Sequence, residues 1–225
     1  MKKLPLALSA LLLTPIAAQA DLLGAGVGAG MWQATPSGTA ELSGVTFFDA
    51  DSNLKTSSNN YVWAYINHPI PLLPNAMIEQ TAFSSEKSTD KLTLDQLDAT
   101  LYWGLPIPMV DINFGLTFKQ VSGEVVGGAT SEKIDAIIPM GYLGVHLPIP
   151  ATDITLSADM KTIGYDNSSI SDSSVKVRWD LIGMGVKLGL EAGYRMQSLT
   201  IDGLGVDVKT DITIDGAFAG VTVVF

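Results

Sequence analysis

Apolar and polar residues alternate with a period of two along much of this chain, and the alternation is most regular over 110–119. The same pattern recurs over 154–161, 175–181 and 190–197. Successive side chains of a β-strand point to opposite faces, so each segment is predicted to be a strand with different surroundings on its two faces. The apolar face of the first segment consists of Val110, Ile112, Phe114, Leu116 and Phe118.

A soluble β-sandwich and a membrane-spanning β-barrel would both alternate in this way. The polar faces here carry full charges in mid-strand, such as Asp159 and Arg178. The apolar faces meanwhile continue for about ten residues, the length of a tilted strand that crosses a bilayer. This combination favours the transmembrane barrel.

The connections between the predicted strands are of two kinds that alternate along the chain. The predicted loops are longer and polar, and they cover 35–58, 84–91, 122–133, 164–174 and 202–210. The predicted turns are short and mostly rich in proline, and they cover 68–75, 104–109, 147–152 and 187–189. Short turns at one end and long loops at the other are typical of outer-membrane barrels, with the turns in the periplasm.

The resulting fold prediction is an all-β, closed antiparallel transmembrane β-barrel of about ten strands, with eight or twelve strands as alternatives. Twelve would require two further strands inside the loop 35–58. The ten predicted strands are 22–33, 59–67, 75–84, 92–103, 110–121, 134–146, 152–163, 175–187, 189–201 and 211–225.

Strict alternation fails at two places in these strands. Ile212 and Ile214 share a face opposite to that of Val221, so we expect a bulge near 216–220, where glycine would permit it. A similar slip is expected at Asp95 and Gln96. Aromatic residues near the strand ends are expected to form two interfacial girdles. Those assigned to the turn side are Trp63, Tyr65, Tyr102, Trp103 and Tyr142, and those assigned to the loop side are Trp32 and Trp179.

The first twenty residues have the features of a secretory signal peptide. Lys2 and Lys3 precede an apolar run over 4–17, and Ala18-Gln19-Ala20 provides small residues at the cleavage site. The predicted organisation is therefore a signal peptide over 1–20 and a barrel over 21–225, located in the bacterial outer membrane.

Composition excludes several classes of function. The chain has 23 acidic residues, 13 basic residues and a net charge of −10, which disfavours binding to nucleic acid. It has no cysteine, so disulfide frameworks and thiolate chemistry are excluded. The segment 49–53 resembles the start of a calcium loop, but Leu54 and Asn60 replace the required glycine and glutamate. We therefore expect neither a metal site nor a cofactor; the alternative is a weak surface site for divalent cations, which acidic loops beside anionic lipid headgroups would attract.

Residues 24–29 match a dinucleotide-binding fingerprint, but no strand precedes them, so that function is rejected. We interpret the segment as the first strand, with Ala25, Val27 and Ala29 facing lipid. Its glycines would face inward and make room for bulky residues across a narrow lumen.

The inward faces of the predicted strands carry nearly balanced charges. A strongly selective pore would show one dominant sign at its constriction, whereas balance favours paired charges that fill the barrel. The predicted lumen charge network consists of Glu79, Asp98, Asp111, Lys119, Asp159, Lys161, Lys176, Arg178, Asp180, Glu191 and Arg195.

The chain has only two histidines, His68 and His146, and both adjoin predicted turns. We interpret each as a polar rim residue without catalytic partners. Histidine-dependent hydrolysis at the loop end would lack a base, so we expect no enzymatic activity.

The chain ends in Phe225, with apolar Val223 and Val221 at the preceding alternate positions. This ending resembles the C-terminal assembly signal of bacterial outer-membrane barrels, although Val223 stands where tyrosine is frequent. With the signal peptide and the glycine-rich first strand, the chain resembles a family of small Gram-negative outer-membrane β-barrel proteins of largely unassigned function. The resemblance implies fold and location, and it carries no catalytic residues.

The function predicted is that of a non-enzymatic integral outer-membrane barrel, either structural or a narrow channel for small solutes. The alternative is a surface adhesin or receptor that acts through its extracellular loops. Expected partners are outer-membrane lipids, lipopolysaccharide and the barrel-assembly machinery; the oligomeric state is left open.

Overall fold

The computed structural model describes residues 24–42, 45–50, 54–70, 72–87, 90–127, 130–165, 168–182, 185–202 and 208–225. The predicted signal peptide and part of the segment 49–53 lie outside these residues. The strands are β1 (Gly24–Leu42), β2 (Val45–Asp49), β3 (Ser57–Asn67), β4 (Asn75–Lys87), β5 (Asp90–Ile107), β6 (Val110–Gly127), β7 (Thr130–Pro148), β8 (Ile154–Tyr165), β9 (Ser168–Ile182), β10 (Lys187–Asp202) and β11 (Val208–Val224).

Within the described ranges, no helix is long and apolar enough to span a membrane.

Antiparallel pairing between sequence neighbours runs from β3 to β11, and β1 pairs with both β3 and β11 to close the barrel. The short strand β2 pairs only with the end of β1, over 39–42. Ten of the eleven strands therefore form the wall, which confirms the predicted ten-stranded antiparallel barrel. The segment 35–58 contributes an extension of β1 and the strand β2 to the described structure, and it adds no further strand to the wall.

The strands are longer than predicted at the end that carries the predicted loops, which we call the loop end. β6 has 18 residues and β7 has 19, whereas about 9–11 residues cross a bilayer. Most of the segments 84–91, 122–133 and 164–174, which were predicted as loops, is therefore strand. The barrel continues beyond the membrane at the loop end.

The opposite end, which we call the turn end, holds the connections from β3 to β4, β5 to β6, β7 to β8 and β9 to β10. The turn predicted at 187–189 is wrong, because β9 ends at Ile182 and β10 already begins at Lys187. Gly185 turns the chain between these strands with a φ of +88°, a conformation that glycine adopts without a steric penalty.

A belt of exposed apolar side chains surrounds the turn-end part of the wall, and we call it the lipid belt. Each wall strand contributes to it. Its members include Val27, Val62, Ile78, Leu101, Phe114, Leu143, Leu156, Val177, Leu190 and Val221, all between 40% and 54% exposed. Such a surface requires lipid, because soluble proteins rarely expose a continuous apolar area of this extent.

Polarity inverts along the strands where they leave the belt. On β6 the outward side chains change from Phe118 to Gln120, and the inward side chains change from Lys119 to Val121. The projecting part of the barrel, which we call the projecting zone, thus has a largely polar exterior and a largely apolar interior; exceptions are Ile137 outside and Asn59 and Ser85 inside. This is the arrangement of a soluble protein, because its exterior faces water.

The two expected slips in alternation are wrong. β5 keeps one register with β4 and with β6 through Asp95 and Gln96. β11 keeps one register with β1 and β10, with Ile214 buried inside and Val221 exposed outside. The apparent slips mark the points where these strands leave the lipid belt, because the apolar residue then belongs on the inner face.

The inward glycines of β1 make room for aromatic side chains of the adjacent strand rather than across the lumen. A Cβ atom on Gly26 would lie 2.5 Å from Tyr65 Cε1, and one on Gly28 would lie 2.4 Å from Trp63 Cε2. Both aromatic residues are the direct register partners of these glycines on β3. The rings therefore lie over the β1 backbone.

The predicted aromatic girdles are largely wrong. Trp32 is buried inside the barrel, as are Tyr102 and Tyr142, while Trp63 and Tyr65 also point inward and are partly exposed. Only Trp103 and Trp179 of the seven predicted residues lie on the outer surface. Both are at the turn end, although Trp179 was assigned to the loop end.

Replacing Phe114 with arginine should destabilise the folded barrel by about 2–4 kcal/mol, because the charge would lie in the lipid belt. Gln120→Arg is the matched control on the same outward face of β6, above the belt, and should cost less than about 1 kcal/mol. Denaturant unfolding from lipid vesicles measures both. Equal costs would contradict the proposed boundary of the belt.

Candidate functional site

Six charged side chains from six strands meet inside the barrel near the top of the lipid belt. Three are acidic and three are basic, so their formal charges cancel. We call this set the charge ring; it consists of Glu79 on β4, Asp98 on β5, Lys119 on β6, Lys161 on β8, Asp172 on β9 and Arg195 on β10.

One half of the charge ring is organised by Arg195. Its Nη1 lies 2.6 Å from Glu79 Oε1, and its Nη2 lies 2.7 Å from Asp172 Oδ2. A further hydrogen bond of 2.9 Å is donated to Thr81 Oγ1. The planar guanidinium can serve three acceptors at once because its donors have a fixed fork geometry.

The two lysines complete the cycle around Asp98. Lys119 Nζ lies 2.9 Å from carboxylate oxygens of both Asp98 and Asp172. Lys161 Nζ lies 3.1 Å from Glu79 Oε2 and also contacts Asp98 Oδ2. The six ion pairs therefore close a ring in which acidic and basic groups alternate.

Five members of the ring have side chains less than 10% exposed, and Glu79 is 18% exposed. Isolated buried charges are expensive, and close pairing with further hydrogen bonds offsets that cost. Gln96 accepts a hydrogen bond from Lys119, and Gln197 donates one to Asp172. The ring is therefore largely buried and internally paired, and Glu79 is its most exposed member.

Sequence reasoning missed Asp172, because it assigned 164–174 to a loop. The available signal was parity: Asp172, Ser174 and Lys176 occupy alternate positions that continue the inward face of β9. The strand was expected to begin at Val175, where the outward residues become apolar. Asp172 lies level with the top of the belt, so its outward neighbour Ser173 is already polar.

An apolar layer lies above the charge ring, towards the loop end, and we call it the apolar cap. It is a continuous cluster of buried side chains from β1, β3, β4, β5 and β11, together with positions 50 and 54. Its members are Trp32, Ala34, Ala50, Leu54, Tyr61, Phe83, Leu92 and Ile214. Trp32 and Phe83 pack with a ring-centroid distance of 6.3 Å. We call the charge ring and the apolar cap the two seals.

Towards the turn end, the lumen opens into a cavity of about 1050 Å³, which we call the vestibule. Its lining includes four ring residues and two cap residues: Glu79, Lys161, Asp172, Arg195, Trp32 and Tyr61. Trp63, Tyr65, Tyr102 and Tyr142 line it, together with polar and charged residues from β6 to β10. The first two rings stack with centroids 5.9 Å apart, and the other two meet edge to face at 5.8 Å. The vestibule therefore has both aromatic and polar walls.

The remaining predicted network residues lie in the vestibule, in separate groups rather than in the charge ring. Lys176 pairs with Glu191 at 3.4 Å, and Arg178 pairs with Asp180 at 3.1 Å. The hydroxyl of Tyr142 donates to Asp159 at 2.7 Å. Asp111 is exposed at the rim of the turn end, opposite His146 in the β6–β7 register.

Both histidines lie at the turn end, but His146 has partners that the sequence did not indicate. Its Nδ1 is 3.0 Å from Ser157 Oγ, and its Nε2 is 3.6 Å from Asp159 Oδ1. His68 Nε2 is 3.0 Å from the carbonyl oxygen of Pro74 within its own turn. Among the described residues, no group of three or more histidine, aspartate or glutamate side chains is arranged to hold a metal ion.

The residues of the predicted assembly signal lie on the outside of the final strand. Val221 and Phe225 are exposed, and Val223 is partly buried on the same face. The backbone N–H of Phe225 donates to the carbonyl oxygen of Ala25 at 2.8 Å, which joins the chain end to β1. Recognition of this ending by the assembly machinery stays a prediction.

Neither a protein-family model nor a curated protein sequence matches the chain. Among solved structures, the outer-membrane protease OmpT of Escherichia coli is similar over 92% of this chain and 98% of its own, at 12% identity and a TM-score of 0.53. Neisserial surface protein A matches over 89% and 95%, at 15% identity and a TM-score of 0.38. The likeness to OmpT concerns the fold, and the lipid belt agrees with the outer-membrane location predicted above. The chain therefore has the fold of an outer-membrane β-barrel.

Proposed function

We propose that this protein is a non-enzymatic, structural outer-membrane barrel whose lumen is closed to solutes in the folded state. The observation that carries the proposal is the pair of successive seals formed by the charge ring and the apolar cap. The narrow-channel alternative is disfavoured because a conducting path needs water-exposed lining residues at every level.

The two seals would resist ions for different reasons. An ion entering the charge ring would have to displace a partner from a closed set of pairs, and that leaves a buried charge uncompensated. An ion in the apolar cap would lose most of its hydration and gain few polar partners. The vestibule alone would fill with water from the turn end.

The absence of enzymatic activity is supported by the placement of the only two histidines, which both lie at the turn end. The fold shared with a protease does not transfer its activity, because unrelated functions occur on one fold. His146 and Ser157 are hydrogen-bonded, yet the neighbouring strand backbones are paired in the sheet, so their amides are not free to stabilise an oxyanion.

Planar-bilayer recordings test the closed lumen. The wild-type barrel should give no conductance above that of protein-free membranes, whereas a Phe83→Ser and Arg195→Ser double variant should conduct because both seals are weakened. Heat-modifiable gel mobility of the same vesicle preparations shows that each barrel is folded and inserted. Stable conductance steps from the wild type would overturn the proposal.

The projecting zone favours surface binding as a second candidate function. It raises a rigid wall with a polar exterior above the lipid belt, and such a wall would hold a binding surface clear of the membrane. Cells that display the barrel would be assayed for binding to immobilised proteins and glycans. Reversing the outward charges of Asp95 and Asp135 should then reduce binding, while Asp111→Asn at the turn end should leave it unchanged.

A further inference from the structure

Only one of the two carboxylate oxygens of Glu191 accepts hydrogen bonds, although the side chain is fully buried. Its Oε1 accepts hydrogen bonds of 2.8 Å from both Tyr61 Oη and Trp63 Nε1. Its Oε2 receives no hydrogen bond and lies 3.4 Å from Lys176 Nζ. A buried carboxylate oxygen without a donor is costly, so Oε2 provides a strong acceptor beside the vestibule.

The face of Trp63 lies close to the Glu191 carboxylate and already binds a cation. Lys176 Nζ lies 5.0 Å from the centre of the indole ring, which is within the range of cation–π attraction. Tyr65 stacks on Trp63 and extends the aromatic surface along the vestibule wall. The side chain of Lys176 thus shows how an alkylammonium group fits between a carboxylate and an aromatic wall.

The charges below the ring favour cations in the vestibule. Five acidic and three basic side chains line it there, an excess of two negative charges. The acidic residues are Asp111, Asp153, Asp159, Asp180 and Glu191, and the basic residues are Lys176, Arg178 and Lys187. A cleft lined by one dominant sign raises the local concentration of the opposite charge.

We propose that the vestibule is a binding site for small primary ammonium compounds that enter from the turn end. The ligand's ammonium group takes the place of Lys176 Nζ, donates to Glu191 Oε2 and lies over the face of Trp63. Its alkyl chain lies along Tyr65 towards the mouth. Lys176 acts as a tethered competitor; its side chain is flexible and 22% exposed, so it can move into the vestibule when a ligand binds.

Specificity for a primary ammonium follows from the chemistry of Oε2. A primary ammonium supplies N–H donors, whereas a quaternary ammonium keeps the charge and has no donor. Both can bind over an aromatic face, so the missing hydrogen bond separates them. The cavity of about 1050 Å³ is large enough for small ligands of either kind.

Calorimetry with butylammonium in uncharged-detergent micelles tests the site. Wild-type protein should bind measurably, and Lys176→Met should bind at least tenfold more tightly because the competing ammonium is gone. Lys133→Met is the matched control; it removes the same charge from an exposed residue of β7 at the loop end, outside the vestibule, and should leave the affinity near that of the wild type. Glu191→Gln should lose the binding in both the wild-type and the Lys176→Met backgrounds.

Butyltrimethylammonium serves as the probe for a purely electrostatic effect, and it should bind at least tenfold more weakly than butylammonium to Lys176→Met. Gel mobility before and after heating confirms that every variant is folded. The proposal is overturned if the wild type binds no butylammonium, if the two lysine variants bind alike, or if the quaternary probe binds equally well. These outcomes do not depend on conductance, so they are distinct from failure of the proposed closed lumen.

Discussion

Replacing Arg195 with methionine should destabilise the folded barrel by about 3–5 kcal/mol, the cost of removing one partner from a buried ion pair. The variant leaves Glu79 and Asp172 without the cation that lies 2.6 Å and 2.7 Å from their oxygens. Methionine retains much of the side-chain volume, so loss of charge rather than a cavity should account for the effect. Denaturant unfolding from lipid vesicles measures the free energy.

A second variant separates pairing from packing. Adding Asp172→Asn to Arg195→Met restores neutrality of the charge ring, because one acidic and one basic group are then absent. The double variant should recover at least about 1 kcal/mol relative to the single variant, within the usual range of coupling between contacting residues. Lys187→Met removes an exposed lysine 3.7 Å from Asp180, which keeps Arg178 as a partner, and should change stability by less than about 0.5 kcal/mol. If the changes in unfolding free energy caused by Arg195→Met and Asp172→Asn were strictly additive, the two residues would not be coupled, and this would contradict the closed ring of ion pairs.

The strands of the wall could be predicted from alternation because lipid and lumen impose opposite polarity on the two faces. Phe114 and Lys119 are assigned to the correct faces for this reason. The rule reverses above the belt, where water is outside and the apolar residues turn inward. Leu92 and Ile214 therefore lie inside. If lipid surrounded the whole length of the strands, these apolar residues would have to face outward, and that would require a change of register.

The membership of the charge ring could be predicted only in part. Five of its six residues lie on faces identified by alternation, and near balance of the two signs indicated pairing. The partners themselves could not be read from the chain, because Lys161 and Glu79 are 82 positions apart and meet only when the barrel closes. The division between ring and vestibule depends on depth along the lumen, which alternation does not encode.

The aromatic residues show a further limit. Their positions near strand ends indicated a membrane interface, but Trp63 and Tyr65 are held inside by the glycines opposite them on β1. A ring can lie over a neighbouring strand when that strand offers no side chain at the paired position. The inward position of the two rings is explained by the pairing of Gly26 and Gly28 with these residues. That pairing could not be predicted from the sequence, because the sequence does not give the register between β1 and β3.

Replacing Phe83 with alanine should destabilise the barrel by about 3–5 kcal/mol, as expected for truncation of a large buried aromatic side chain. Phe83 is 2% exposed and packs in the apolar cap against Trp32, above the lipid belt. Its loss would leave a cavity, because the surrounding strands are hydrogen-bonded on both sides and cannot collapse fully. Unfolding from vesicles, followed by tryptophan fluorescence, measures the change.

Ser84→Ala is the matched control, because Ser84 is the next residue on β4 and its side chain is exposed on the outer face. Its effect should stay within about 0.5 kcal/mol. Because the charge ring below is untouched, Phe83→Ala should still give no conductance in planar bilayers, unlike the variant that weakens both seals. A loss below about 1 kcal/mol would mean that the cap behaves as a loosely packed, water-accessible entrance rather than as the hydrophobic core of the projecting zone.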